Sequence, residues 1–500
     1  MEQNQKMDSP QEHIIMLPFF AHGHLIPFLA LAKQIQERTG FTITLVSTPL
    51  NILYLKSTNT QNPQIHLVPL PFNSSHHNLP PNTETTESLP LSQVITLFHA
   101  SSSLESPFRR FISDVTIRDG KSPICIISDV FMGWANEVAK SLDIVNVSFS
   151  TCGAYGSAAY VSVWQKLPHR FLENDNDEFC LPWFPERCRV TRSHLHQFVR
   201  VADGNDEWSK FFQPQTTFSL GSFGWLCNTV QEIEPLGLEV LKNNTKLPIW
   251  CIGPLLPQRM LESSSNPGTF GKRAGKEPGL SPEECLKWLD LFPKSSVLYI
   301  SFGSQNTIRP TQMMELAKGL EESGQPFIWA IRPPIGFNLK ENFRDEWLPP
   351  GFEEQMIHRK LGLLVHKWAP QLEILSHKST GAFLSHCGWN STLESLSQGV
   401  PIIGWPLAAE QVYNSKMMEE EMGVGIELTR GLESSIVKED VKRVIEIVMG
   451  KNGKGEEMRK KACEIGELIR AAAREENGVK GSSLQALDDF VASILSFSRR

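Results

Sequence analysis

Short apolar runs recur along the chain, each followed by a polar turn and then by apolar residues at helical spacing. The first is IIMLPFF at 14–20, followed by the polar AHGH, by Ile26, Leu29, Ala30, Ala32 and Lys33 on a helical period, and by FTITLV at 41–46. Comparable runs return at 65–70, 124–128 and 145–149. Unbroken apolar runs too short for helices suit buried strands, and their alternation with helices predicts a doubly wound parallel sheet. A second series opens with VLYISF at 297–302. It continues through a helix predicted at 312–323 that stops at Gly324, FIWAI at 327–331, GVGIEL at 423–428, two long helical segments from Val437 and Glu456, and a last one at 484–496.

Two stretches lose the period. Residues 168–200 are irregular, with the polar run ENDNDE and three histidines, His169, His194 and His196. Residues 255–282 hold Ser263-Ser264-Ser265 among glycines and prolines and read as an interdomain linker. Because 500 residues exceed one ordinary core, two domains are expected: 1–254, then the linker 255–282, then 283–480, with a terminal helix at 481–500.

Composition narrows the functional classes. Lysine and arginine number 48 against 55 acidic residues, for a net charge of −7, which leaves no electrostatic footprint for nucleic acid. The nine cysteines are scattered without a Cys-x-x-Cys pair and read as reduced thiols in a cytoplasmic chain. The polar opening lacks the organisation of a secretory signal, and the run at 14–20 is too short to span a bilayer, so no integral membrane segment is expected.

The chemistry-bearing residues gather where predicted strands end, which is where open α/β sheets bind ligands. Within residues 368–411, the apolar Ala382, Phe383 and Leu384 run into Ser385, His386, Cys387 and Gly388, and helical spacing follows with Leu393 and Leu396 inward. The unpaired N–H groups and dipole of such a helix start suit phosphate oxygens. His386, Asn390 and Ser391 add donors, and Gly303-Ser304-Gln305 ends a second strand, so two donor-rich loops could clamp one diphosphate. Trp368 could stack on a base, while Gln371, Glu394, Glu410 and Gln411 could bridge sugar hydroxyls. The same residues admit a structural reading, since Glu394 stands at capping-box spacing from Ser391 and buried histidines are commonly hydrogen-bonded structure.

In the first half, His22 and His24 lie in the turn after the first strand, and a histidine near neutrality suits general-base work. Spacing does not choose between them, and either could cap a helix. Asp129 ends the run 124–128 at a comparable sheet edge and could orient a histidine. Asp175-Asn176-Asp177 could hold a divalent ion but lies in a polar loop far from any strand end. No G-x-G-x-x-G follows an early strand, which counts against a nicotinamide-dependent oxidoreductase.

Residues 368–411 closely resemble the signature box of plant secondary-product UDP-glycosyltransferases: the box begins with Trp, carries HCGWNS with Glu three residues later, and ends in Gln after an acidic residue. GHLIP at 23–27 and SFGS at 301–304 extend the resemblance over nearly the whole chain. It implies an α/β fold of two Rossmann-like doubly wound domains facing a cleft, the GT-B arrangement, with the terminal helix crossing back to the first domain. It implies inverting, metal-independent transfer of a hexose from a UDP-sugar to a hydroxyl of a small lipophilic plant metabolite, a flavonoid, other phenolic or terpenoid; the final Gln411 favours glucose, with related pentoses, glucuronate and attack by a carboxylate oxygen left open. The family's G-H-x-x-P pattern selects His24 as the base, with Asp129 as its partner. Trp368 resembles the uracil-stacking residue, Gln371 and Glu394 the ribose contacts, and Ser304, His386, Asn390 and Ser391 the diphosphate ligands. Trp389, Glu410 and Gln411 resemble the sugar-reading group, and Ala369 and Gly388 complete the UDP-sugar set. Many members carry Asp where this chain has Glu410, which reaches one methylene farther.

The resemblance further implies no cofactor beyond the UDP-glucose co-substrate, a small aglycone as the other partner, and a monomer. Presence of both His24 and Asp129 counts against a noncatalytic binder. An apolar acceptor cavity is expected among Phe19, Phe20, Phe131, Trp134, Cys152, Tyr155 and Trp164, with 168–200 looped over it.

Overall fold

The computed structural model describes residues 11–58, 64–262, 270, 278–338, 341–431 and 433–498. Among these, seven parallel strands form one sheet in the order Ile65–Pro69, Thr42–Ser47, His13–Leu17, Cys125–Asp129, Asn146–Ser150, Gly224–Cys227 and Ile249–Cys251. Six more form a second parallel sheet in the order Gly362–His366, Phe327–Ile331, Val297–Ser301, Thr380–Ser385, Ile402–Gly404 and Gly425–Glu427. Two doubly wound α/β domains follow. The central strands His13–Leu17, Cys125–Asp129 and Val297–Ser301 are buried at every residue, as their unbroken apolar runs required.

In each sheet the winding reverses at its first strand. His13–Leu17 is flanked by Thr42–Ser47 and Cys125–Asp129, and Val297–Ser301 by Phe327–Ile331 and Thr380–Ser385. Loops leaving such a switch point diverge and open a crevice at the carboxyl ends of the strands. These reversals bring together the helix start that carries His24 and the strand end that carries Asp129 on one side, and the loops that carry Ser304 and His386 on the other.

Several expectations need correction. The polar AHGH is not a loop: His22, Gly23 and His24 form the first turn of the helix His22–Thr39, entered through an extended Ala21. Residues 168–200 contain an antiparallel hairpin, Glu178–Cys180 with Arg189–Thr191, whose strands are too short to show a period. Half of the predicted linker, 263–269 and 271–277, lies outside the described residues. Its described flanks are the helical turn Gln258–Leu261 and Ser281, which caps the helix Pro282–Leu289 through a capping box with Glu284.

The terminal helix Ser482–Ser498 buries Leu487, Phe490 and Ile494 in the same core as Ile14, Leu25, Phe28 and Trp250 of the first domain. Arg38 and Asp488, 2.6 Å apart, tie it to the first helix. Among the described residues no helix is long and apolar enough to cross a membrane.

Candidate active site

A cleft of about 1610 Å³ lies between the two sheets and is lined by both domains. On its first-domain wall the Nδ1 of His24 lies 2.7 Å from Oδ2 of Asp129. Asp129 is fully buried, and its other oxygen accepts from the backbone N–H of Phe131 at 3.0 Å. An ionised carboxylate beside Nδ1 keeps the proton there, leaving Nε2 as the basic nitrogen of a ring that is 19% exposed and lines the cleft. Burial pushes the His24 pKa down, but the Asp129 charge and hydrogen bond, with Glu410 adding, outweigh it and hold it above its usual value. His22 also lines the cleft but has other partners: it stacks on Tyr54 and sits 3.1 Å from Glu87. Geometry therefore separates the two histidines that spacing left equivalent.

The second-domain wall holds the residues expected to meet a UDP-sugar. Gln371 accepts from the Tyr299 hydroxyl at 3.2 Å and donates to Ser391 at 3.0 Å and Glu394 at 2.5 Å. The Ser391–Glu394 capping box is not formed: Gly388 precedes the helix Trp389–Leu396 with no side-chain cap, and both side chains turn to Gln371 instead. Trp368 and Ala369 line the cleft beside this trio.

His386 sits between two glycines. A Cβ on Gly388 would lie 2.5 Å from its Nε2, and one on Gly303 2.6 Å from its ring, so only glycine leaves the imidazole room at either place. Burial lowers the His386 pKa to about 4, with the nearby Arg332 charge adding, so the ring is neutral at pH 7. Its Nδ1 is buried and has no partner among the described residues. A buried orphan nitrogen is costly unless a ligand meets it. Left-handed backbone clusters here too: Gly303 (φ 74°), Lys367 (76°), Cys387 (62°) and Ala409 (52°) all lie in loops that follow strands of the second sheet. Strain of this kind gathers at ligand sites.

The two walls are hydrogen-bonded to each other. Asn390 donates to the carbonyl of Gly23 at 3.0 Å, and the Trp389 indole N–H donates to the carbonyl of Asn228 at 2.6 Å. That indole is thereby committed to the first domain, so what Trp389 can offer a sugar is its backbone N–H at the helix start. Gln305 adds a bond to Thr86.

Residues 279–460 match the family described as "UDP-glucoronosyl and UDP-glucosyl transferase", and residues 11–257 match "Glycosyltransferase, N-terminal domain". UDP-glycosyltransferase 92A1 of Arabidopsis thaliana is 44% identical over 486 residues, 96% of each chain. The chain belongs to the plant family 1 UDP-glycosyltransferases. Crocetin glucosyltransferase 3 of Crocus sativus is 46% identical over 96% of this chain and 98% of its own. Among solved structures, UGT73P12 of Glycyrrhiza uralensis complexed with glycyrrhetinic acid 3-O-monoglucuronide superposes with TM-score 0.82 at 26% identity, over 98% of this chain and 96% of that one. UGT71G1 of Medicago truncatula complexed with UDP-glucose gives 0.78 at 26%, over 97% and 98%. This glycosyltransferase thus shares their two-domain GT-B fold.

Beyond the trio of Gln371, Ser391 and Glu394, the glycosyltransferase places Glu410 and Gln411 where the cleft meets the first domain. The Gln411 carbonyl oxygen accepts from the N–H groups of Leu407 and Ala408 at 2.9 and 2.8 Å, which fixes the loop ahead of Glu410. Burial raises the Glu410 pKa, partly offset by His24 and by a 3.4 Å bond from Asn414. The first-domain side of the cleft is an aromatic chamber. Phe19, Phe131, Cys152 and Trp164 line it as expected, joined by Phe98, Tyr160 and Phe212. Phe20, Trp134 and Tyr155 do not: their rings pack into the core against Phe72, Phe108 and Phe184. His196 and Phe198 bring the 168–200 region to the chamber wall.

Two residues escaped the sequence reading. Asn228 joins the domains through its carbonyl, and nothing in its local sequence flags it. Arg332 donates to the backbone carbonyls of Gly303, Ser304 and Asn306 at 2.5, 2.7 and 2.5 Å. It stands immediately after the strand Phe327–Ile331, and that position at a strand end was the available signal.

Proposed function

We propose that this enzyme transfers glucose from UDP-glucose, with inversion, to a hydroxyl of a small lipophilic plant metabolite, a flavonoid, other phenolic or terpenoid, giving a β-O-glycoside. The observation that carries the reading is the buried Asp129 holding His24 at 2.7 Å on the wall opposite the donor residues. Nε2 of His24 takes the proton of an acceptor hydroxyl as its oxygen attacks the anomeric carbon, and UDP departs from the opposite face, so one displacement converts an α-linked donor into a β-product. The diphosphate charge falls on the N-terminal amides of the helix Trp389–Leu396, on His386 and on Ser304, without a metal. Glu410 and Gln411 read the hexose hydroxyls, the acid accepting and the free amide N–H donating.

The aromatic chamber supports a flat or fused-ring acceptor, since Phe19 and Phe131 meet edge-on at 5.6 Å and Trp164 stacks on Phe212 at 4.7 Å. A Fragaria ananassa relative, 33% identical, is named a UDP-glucose flavonoid 3-O-glucosyltransferase, which supports the flavonoid class. All nine cysteines are free thiols, consistent with a reducing, cytoplasmic setting, and we expect a monomer. The test is a panel of flavonoid, phenolic and terpenoid aglycones against several UDP-sugars, with products read by mass and anomeric configuration by NMR. A β-glucoside from UDP-glucose is expected, and an α-product or transfer only from another sugar nucleotide would overturn the reading.

A further inference from the structure

We propose that Arg332 is the positive charge set against the diphosphate of the departing UDP, acting both directly through the field in the cleft and by positioning the loop that carries Ser304. The inference rests on the donor-site reading above.

Three of the five guanidinium N–H groups hold the carbonyls of Gly303, Ser304 and Asn306. The Nε–H and the second Nη1–H have no protein acceptor among the described residues, although Arg332 lines the cleft. No carboxylate among the described residues lies within 4.0 Å of it. A part-buried cation whose direct partners are neutral carbonyls, with Glu87 acting on it only from beyond 4.0 Å, is incompletely balanced, and proteins keep one chiefly where an anion will arrive. Its other neighbours indicate which anion. The guanidinium stands 5.8 Å from the Trp368 ring centroid, at the base end of the donor site. Through Gly303 it adjoins His386, whose buried Nδ1 also lacks a partner among the described residues. A cation and an orphan imidazole nitrogen, side by side between a base-stacking ring and a helix N-terminus, describe a seat for a nucleoside diphosphate.

A residue that merely holds the loop and one that carries charge are distinguished by comparing ligands with and without phosphate. UDP and uridine are titrated calorimetrically, uridine by competition, into the wild type, Arg332→Met and Arg332→Lys. In the methionine variant UDP affinity should fall about ten- to a hundredfold, the range for a lost charge-assisted hydrogen bond, while uridine affinity changes little. The lysine variant, which keeps the charge but not the fork, should retain most of the preference for UDP and keeps the test decisive if the methionine variant does not fold. Equal losses for both ligands, or a lysine variant as indifferent to phosphate as methionine, would overturn the assignment. A wild type that binds neither ligand would instead refute the donor-site reading itself.

Discussion

Asn390 at the head of the donor helix donates to the carbonyl oxygen of Gly23, 3.0 Å away and one residue from His24. That oxygen would ordinarily accept the N–H four positions on, but the residue there is Pro27, which lies inside the helix and has no N–H. The proline of GHLIP therefore leaves a carbonyl open in the first domain, and the asparagine of HCGWNS fills it from the second. Two motifs far apart in the chain are the two ends of one hydrogen bond.

Replacing Pro27 with Ala restores a donor that competes for the Gly23 carbonyl. A proline inside a helix costs about 3 kcal/mol, so the variant should unfold at the same or higher temperature than the wild type. Its kcat/KM should nevertheless fall about tenfold, the equivalent of one hydrogen bond. Asn390→Ala should lose activity similarly. Thermal unfolding beside steady-state kinetics checks both, and full activity in Pro27→Ala would show that the bond does not set the alignment.

Gly388→Ala isolates the seat of His386. The backbone φ of −63° at Gly388 suits any residue, but the added methyl would meet Nε2 at 2.5 Å, so the ring must move. UDP affinity should fall at least about tenfold with little loss of fold stability. At Gly303 the same substitution adds a left-handed backbone at φ 74°, costing a further ~1–2 kcal/mol of stability. UDP titration with unfolding curves separates the two effects, and wild-type affinity in Gly388→Ala would contradict them.

How much of this was legible follows from what each feature depends on. The central strands were readable because burial on both faces demands unbroken apolar runs, whereas Ile249–Cys251 is only 3 residues long and sits below any periodicity signal. The donor residues lie close together in sequence, so their grouping was visible. The contact between His24 and Asp129 spans 105 positions and is made by the sheet's switch point, so residues alone could propose the partners but not the bond. Aromatic content could not tell the chamber from the core: Phe19 and Phe20 are adjacent, yet only Phe19 reaches the cleft.

Activity should persist in excess chelator. The groups proposed to receive the diphosphate, namely Arg332, His386 and the amides at the start of Trp389–Leu396, are held in place by the fold and require no ion to assemble. Initial rates with and without chelator, then with added manganese, decide it. Loss of activity that manganese restores would place a metal in the mechanism.

The pH dependence of kcat/KM, which reports groups of the free enzyme, tests the base. His24 accepts a proton only when neutral, so the rate should rise with pH through its pKa. Since the Asp129 charge and hydrogen bond, with Glu410, outweigh burial, that limb should lie above pH 6.5. Asp129→Asn removes the largest raising influence and leaves burial, so the limb should move to lower pH while the plateau falls. His24→Ala should lower the plateau by about 10²–10⁴ with UDP binding intact. Stability carries the opposite sign. A folded pKa raised above its unfolded value stabilises fully below the unfolded pKa, about 6.5 for histidine, and that contribution is lost as pH rises through the folded value. The stability lost in Asp129→Asn should thus be larger at pH 5 than at pH 9. If the acidic limb of Asp129→Asn stayed at or above that of the wild type, Asp129 would not be what tunes the base.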